Sequence, residues 1–567
     1  MLSELPLEIL LQITGYIESE VLLDLYQVSR RLYQIFEPQL REIYRVKIVD
    51  LGRIKNDGDI EINIRPHLTG RRALKFVEEL TIDGRCEYGH TSSRHRPHLN
   101  KCVGDLALPL MSLLRGLKRN SLVSFRWLVD ACPPPQILGP RGYLRRHQRN
   151  IQTLELQSSS NCAHNNADKS QKLSISRFHR IRSFSWRSAT TTNDITSLKE
   201  FLSANADRLE ELTLGVGRSP RINAEYNGTY GDWATGRNMF PFHVLGLERG
   251  STRCLFPCLR KLDLIAPYAY AYTELAYAFQ MHKLVHVKPH SFHMLRKMVE
   301  IAEDGMLPLT SLAIHLDEER GYLLDEELFA LSLPNLQDVF FPCVYATDQS
   351  SVQPHLREAF SGGRKLRRFV YCRRLTVRGD AGGAWEPTVA PMAWDAEIMS
   401  LLADAELRCV GLCDHLPTLQ FYLSPNPPTT WEILHIQHLA TIHEEYHPHQ
   451  PAFTISYDEP LRQFRQPLPP SIIDLTTYKL RFPAVEIAEV LTFAKWAFGP
   501  AGLPNLDLFV FGPVETREWE RVLGECIFLT RNEDLITRGA WPCTQVQVED
   551  EEVRRRFEQD LEFFTVD

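Results

Sequence analysis

The chain has 567 residues, 44% of them apolar and 24% charged, an ordinary balance for a packed protein that excludes disorder as its dominant state. A formal net charge of −7 gives no general drive toward nucleic acid, and no apolar run has the length that crosses a bilayer. Neither nucleic acid nor membrane is therefore expected as a partner.

The first residues, Met1-Leu-Ser-Glu-Leu-Pro-Leu-Glu-Ile, place acids and a proline where a secretion signal carries bases and an apolar stretch. A cytoplasmic and/or nuclear location is expected. In such a reducing compartment the 12 cysteines, Cys258, Cys372 and Cys409 among them, read as small buried hydrophobes rather than as disulfide partners.

Residues 5–17 read as an amphipathic helix. Pro6 suits its first turn, where the missing N–H costs nothing. Ile9, Ile13 and Ile17 recur at i, i+4 and i+8, and Leu10 widens the stripe. Ser19 is placed to cap a second helix carrying Val21, Leu22, Leu23 and Leu25. Ser29 is placed to cap a third, with Leu32, Tyr33, Ile35 and Phe36 as its apolar face. Three helices this short make a very small core. Their remaining apolar stripe gains by burial, either against a separate partner or as a cap on the domain that follows.

Two runs carry a resemblance. Leu5-Pro6-x-Glu8-Ile9-Leu10-x-x-Ile13-x-x-Tyr16-Ile17 is followed by Leu22-Leu23-x-Leu25-x-x-Val28-Ser29-Arg30-Arg31-Leu32-Tyr33. Together they resemble the F-box motif. Leu32 stands where many members have tryptophan, which keeps an apolar contact with less aromatic area. The resemblance implies a three-helix F-box over residues 1–48 that docks on the adaptor subunit of an SCF ubiquitin ligase and, through it, on cullin. The implied adaptor contacts are Leu5, Pro6, Ile9, Ile13, Leu22, Leu25, Val28 and Leu32.

Beyond residue 76 one motif recurs: apolar, two residues, apolar, one residue, apolar. It starts at Val77, Ile151, Ile181, Leu209, Leu259, Leu309, Leu336, Leu366, Leu407, Trp431, Ile472 (a weaker copy) and Leu506. Helical stretches lie between copies, as at Ser197–Asn205 and Phe292–Glu300. This order resembles an irregular leucine-rich repeat, without the asparagine or cysteine that usually follows the third apolar position. The expected fold class is α/β: the F-box, then a solenoid over 49–547, then a capping helix over 548–567. Stacked strands would form a parallel sheet on the concave face of a horseshoe, with helices outside. An ordinary α/β domain is the alternative.

Alternation along each strand assigns its faces. Early strands offer polar pairs, Glu79 with Thr81, Thr153 with Glu155, Ser183 with Ser185, Glu211 with Thr213, and Lys261 with Asp263. From residue 338 the same positions turn partly apolar. Phe340, Arg368, Val370, His435, Leu508 and Val510 thus form the expected contact surface for an unknown protein target, unless a loop or the last helix covers them.

Two histidine-rich motifs invite a metal. His443-Glu444-x-x-His447 has the form of a zinc-hydrolase helix, but Pro448 ends any helix there. Cys86, His90, His95, His98 and Cys102 share a polar insertion at no common finger spacing. No metal or other cofactor is expected, and no catalytic residue. The function implied is a non-catalytic substrate receptor for ubiquitin transfer. An F-box scaffold working outside ubiquitination, and a zinc hydrolase, are the alternatives.

Overall fold

A computed structural model describes residues 19–25, 27–54, 73–86, 107–108, 110–129, 133–157, 173–189, 192–216, 240–264, 272–288, 292–302, 305–313, 316–317, 333–346, 366–377, 386–388, 396–413, 416–437, 484–512, 526–532, 543–546 and 556–557. The chain divides into two compact units, Met1–Met281 and His282–Asp567.

The first unit opens with helix α1, Ser19–Leu25, and helix α2, Arg30–Tyr44. Ser29 caps α2 from an extended backbone (φ −151°, ψ 154°), its Oγ accepting from the Leu32 N–H at 3.1 Å. Leu32, Phe36, Leu40 and Tyr44 repeat every four residues on one face of α2. They pack with Leu22 of α1 and with Ala73 and Phe76 from the short turn Ala73–Phe76. Each such burial stabilises by about 1.5–3 kcal/mol. The turn leads directly into the sheet, so the helices share a core with the domain behind them.

Seven parallel strands follow among the described residues: β1 (Val46–Ile54), β2 (Glu79–Cys86), β3 (Ser124–Val129), β4 (Thr153–Gln157), β5 (Ser183–Ala189), β6 (Glu211–Val216) and β7 (Lys261–Leu264). Each pairs with its neighbour in sequence. The expected boundary at residue 48 lies inside β1, which α2 enters directly.

The core positions of the motif align across the strands: Val49, Ile82, Trp127, Leu156, Trp186, Leu214 and Leu264 form one buried row. Helix α3, Thr192–Asn205, returns the chain from β5 to β6 and packs the Phe201 ring, tilted, on Phe184 with centroids 4.0 Å apart.

A backbone device takes the place of the missing asparagines. At most parallel-strand entries one carbonyl accepts two successive N–H groups of the next turn of chain. Val123 and Ser124 donate to Glu78, Gln152 and Thr153 to Val123, Arg182 and Ser183 to Gln152, Glu210 and Glu211 to Arg182. The same fork recurs in the second unit, where Arg367 and Arg368 donate to Gln337, and Glu432 and Ile433 to Arg408. These forks pair backbone donors and acceptors from one repeat to the next.

The second unit carries β8 (His286–Lys288), β9 (Ser311–Ala313), β10 (Leu316–Asp317), β11 (Asp338–Ala346), β12 (Arg368–Val377), β13 (Glu386–Thr388), β14 (Cys409–Cys413), β15 (Ile433–Gln437), β16 (Leu508–Phe511), β17 (Ile527–Arg531) and β18 (Cys543–Val546). The run β8–β9–β11–β12–β14–β15–β16 is parallel. The winding then changes: β17 pairs antiparallel with β16, and β18 antiparallel with β17. This closing meander follows the last copy of the motif, at Leu506, and departs from the all-parallel sheet expected. Arg531, at the end of β17, donates to the carbonyls of Phe498, Leu503 and Leu506 and tethers it to the chain before β16.

The fold is thus mixed α/β with a mostly parallel sheet in each unit and helices between strands, compatible with a solenoid. No described helix is long and apolar enough to cross a membrane. The copy at Ile472 and all but residues 556–557 of the expected last helix lie outside the described residues.

Candidate functional site

Of the expected adaptor contacts, Leu5, Pro6, Ile9 and Ile13 lie outside the described residues. Leu22 and Leu32 sit in the helical core, and Leu25 packs partly against it. Leu22 and Leu32 are too buried to meet a partner directly, while Leu25 keeps part of its surface open. Val28 differs. It is 71% exposed, and Val21, Tyr33 and Ile43 also leave large apolar surface open. Val21 lies in the first turn of α1, Val28 in the connector to α2, and Tyr33 one turn into α2.

The target surface also needs correction. Phe340, Val370, Leu508 and Val510 are at most 1% exposed, and His435 is 3% exposed. They cannot offer an apolar surface to a target. Their strand neighbours Val339, Phe369, Phe509 and Phe511 are buried as well, so this sheet is covered on both faces, as parallel sheets usually are. Arg368 is committed inward. Its Nε and Nη2 donate to the two carboxylate oxygens of Asp338 at 2.7 and 2.5 Å, and Asp338 is itself buried.

His435 is a core histidine. Its Nε2 lies 3.3 Å from the Gly512 carbonyl oxygen. Burial, only partly opposed by that contact, pushes its pKa down from 6.5 to about 4. Gly512 takes φ +151°, and a side chain there would collide with Cys526, so glycine is required beside the ring.

The sign of the pH effect follows. Above pH 6.5 the ring is neutral folded or unfolded and contributes nothing. Between 6.5 and about 4 the unfolded chain takes up the proton first, so stability falls as pH falls. At pH 5 the expected loss is about 2 kcal/mol. His435→Leu should remove that part of the acid sensitivity when urea midpoints at pH 7 and pH 5 are compared. Equal losses in variant and wild type would refute this role.

The first unit keeps the polar face that alternation predicts. Across β1 to β7 one row reads Val46, Glu79, Ser124, Thr153, Ser183, Glu211, Lys261, and the next Ile48, Thr81, Arg126, Glu155, Ser185, Thr213, Asp263. Charges interlock along it. Glu155 lies 3.7 Å from Arg126 and 3.3 Å from Arg187, Ser183 donates to Glu211 at 2.8 Å, and Arg45 reaches Glu79 at 2.5 Å. Most of these side chains are half-buried or exposed. Exposed pairs of this kind contribute at most about 1 kcal/mol each, so their value lies in selecting a complement rather than in stability.

Strand β3, with Arg126 on that face, was missed by the sequence reading. Its signal was present as Leu122-Val-Ser-Phe-Arg-Trp127, a full copy of the motif.

The cysteine expectation holds for Cys409, which is buried. It fails for Cys258, which is exposed. The Cys372 side chain lies outside the described residues. Burial pushes the Cys543 thiol up to about 12, keeping it a thiol. The His443-Glu444-x-x-His447 motif and the histidines at 90, 95 and 98 lie outside the described residues. Among the described residues no three His, Cys, Asp or Glu side chains group to hold a metal.

No family model matches the chain, and no curated protein matches it at a significant level.

Proposed function

We propose that the chain is an F-box protein, a non-catalytic receptor that brings a protein target to an SCF ubiquitin ligase. The observation that carries this reading is the motif over residues 5–33, with Leu-Pro-x-Glu-Ile at its start and Val-Ser-Arg-Arg-Leu at its end. Support comes from the two described helices behind it. Ser29 caps α2, Leu22 and Leu32 pack inside, and Val21 and Val28 remain exposed. Adaptor binding then rests on Val21, Val28 and the apolar side chains of residues 5–17.

The target end falls to the polar face of β1–β7. Its interlocked charges select by complementarity, and the buried second sheet offers no such surface. Bond making in ubiquitin transfer belongs to the conjugating enzyme that cullin brings; this chain supplies proximity and orientation. The assignment places the chain in the cytoplasm or nucleus.

The test is a pull-down of the SCF adaptor by the full chain and by a Val21→Asp, Val28→Asp double variant. The wild type should capture adaptor and cullin together. The variant should bind adaptor at least about tenfold more weakly, since one desolvated charge costs more than the 1.4 kcal/mol of a tenfold change. Its circular-dichroism melting curve should match wild type, both positions being exposed. Failure of the wild-type chain to capture adaptor would overturn the reading, and capture of adaptor without cullin would limit it to a scaffold outside ubiquitination.

A further inference from the structure

Between the connectors that precede β3 and β4 lies a cleft of about 700 Å³. Arg115, Arg119, Arg141, Arg146 and His147 line it, with no aspartate or glutamate among the described lining residues. Several other arginines of this unit lie against carboxylates. Arg45 pairs with Glu79, Arg126 and Arg187 with Glu155, Arg182 with Glu210, and Arg208 with Asp207. The whole chain is also acidic, with 71 Asp and Glu against 64 Lys and Arg. Four guanidiniums gathered with no carboxylate among the described lining residues repel one another.

The backbone beneath the rim is fixed. The side chain of the fully buried Gln148 joins the two connectors, accepting from the Leu122 N–H at 3.1 Å and donating to the Lys118 carbonyl at 2.9 Å. Asn120 takes φ +58°, its Oδ1 accepting from the Arg149 N–H at 2.9 Å and its N–H donating to the His147 carbonyl at 2.8 Å. Tyr143 stacks on His147 at 4.7 Å and holds that ring at the rim. The cationic groups are thus carried on a pre-formed frame, which lowers the ordering cost of binding.

We propose that this cleft binds a compact anion bearing two or more phosphate groups. Guanidinium forks match phosphate oxygens two at a time. Small-ligand sites span about 300–1,000 Å³, a range that includes this one. The phosphates belong either to a free oligophosphate or to a lipid headgroup. The site is independent of the F-box reading, so either can fail alone.

The test uses the full chain with two probes: tripolyphosphate in calorimetry, and phosphatidylcholine vesicles with or without phosphatidylinositol bisphosphate in sedimentation, at about 0.15 M salt, where weak surface attraction is screened. Saturable binding of tripolyphosphate assigns a free ligand, and binding to the phosphoinositide vesicles alone assigns a headgroup. Either should weaken at least tenfold in an Arg119→Gln, Arg146→Gln variant, with the unliganded melting midpoint unchanged. Three results overturn the proposal: no saturable binding to either probe, unchanged affinity in that variant, or an equal loss from Arg182→Gln with Arg208→Gln, which would mark diffuse attraction.

Discussion

Replacing Trp127 by alanine should cost the first unit about 3–5 kcal/mol. The side chain is fully buried on β3, between Ile82 on β2 and Leu156 on β4, in the row that continues to Trp186. A cavity there opens in the middle of a stack whose repeats are held by their neighbours, so the loss reaches both sides of β3. It is a large share of the total stability of a typical domain, about 5–15 kcal/mol. Arg126→Ala, one residue away on the polar face, removes an exposed contact to Glu155 and should cost at most about 1 kcal/mol. Urea unfolding followed by far-ultraviolet circular dichroism separates the two. A Trp127→Ala chain within 1 kcal/mol of wild type would remove β3 from the core.

The contrast between those neighbours also shows what was readable from sequence. In the first unit, runs such as Glu211-Leu-Thr-Leu214 alternate strictly, and alternation predicts one buried and one open face. The structure agrees along β4 and β6, while Ser124 on β3 and Asp263 on β7 are buried on the polar face. In the second unit the runs are Val339-Phe340-Phe341, Phe369-Val370-Tyr371 and Phe509-Val510-Phe511. Period two says which side chains share a face; it cannot say whether that face is covered. Continuous apolar runs are the mark of a strand buried on both sides, and that mark outweighs the repeat register at Phe340, Val370 and Val510.

Shorter signals failed for other reasons. In β3 the apolar residues run on from Trp127 through Leu128 and Val129 and blur the motif's end. Strand β8 has three residues and Pro289 where a third apolar position belongs. The antiparallel turn at β17 depends on contacts distant in sequence, Arg531 to Phe498 and Leu503 among them, which no local pattern encodes. At the amino end the cap at Ser29 was legible because capping is local. The inward role of Leu22 and Leu32 was not, because it needs Ala73 and Phe76.

Arg368 is where a surface reading and a core reading make opposite predictions. If its side chain faced a target, Arg368→Met would weaken binding and leave stability alone. The structure instead places a two-pronged pair with buried Asp338 across β11 and β12, at 2.7 and 2.5 Å. Removing the guanidinium strands a carboxylate that is only 6% exposed. Breaking one half of a buried pair costs about 3–5 kcal/mol, most of it the penalty on the charge left behind. A double change, Arg368→Met with Asp338→Leu, removes both charges at similar bulk and should recover most of that loss, because the attraction between buried ions barely exceeds their desolvation. Urea midpoints of the wild type, the two single variants and the double variant at pH 7 form the test. A single variant as stable as wild type would show the pair to be solvated, and a double variant no better than Arg368→Met would move the cost from the stranded charge to lost packing.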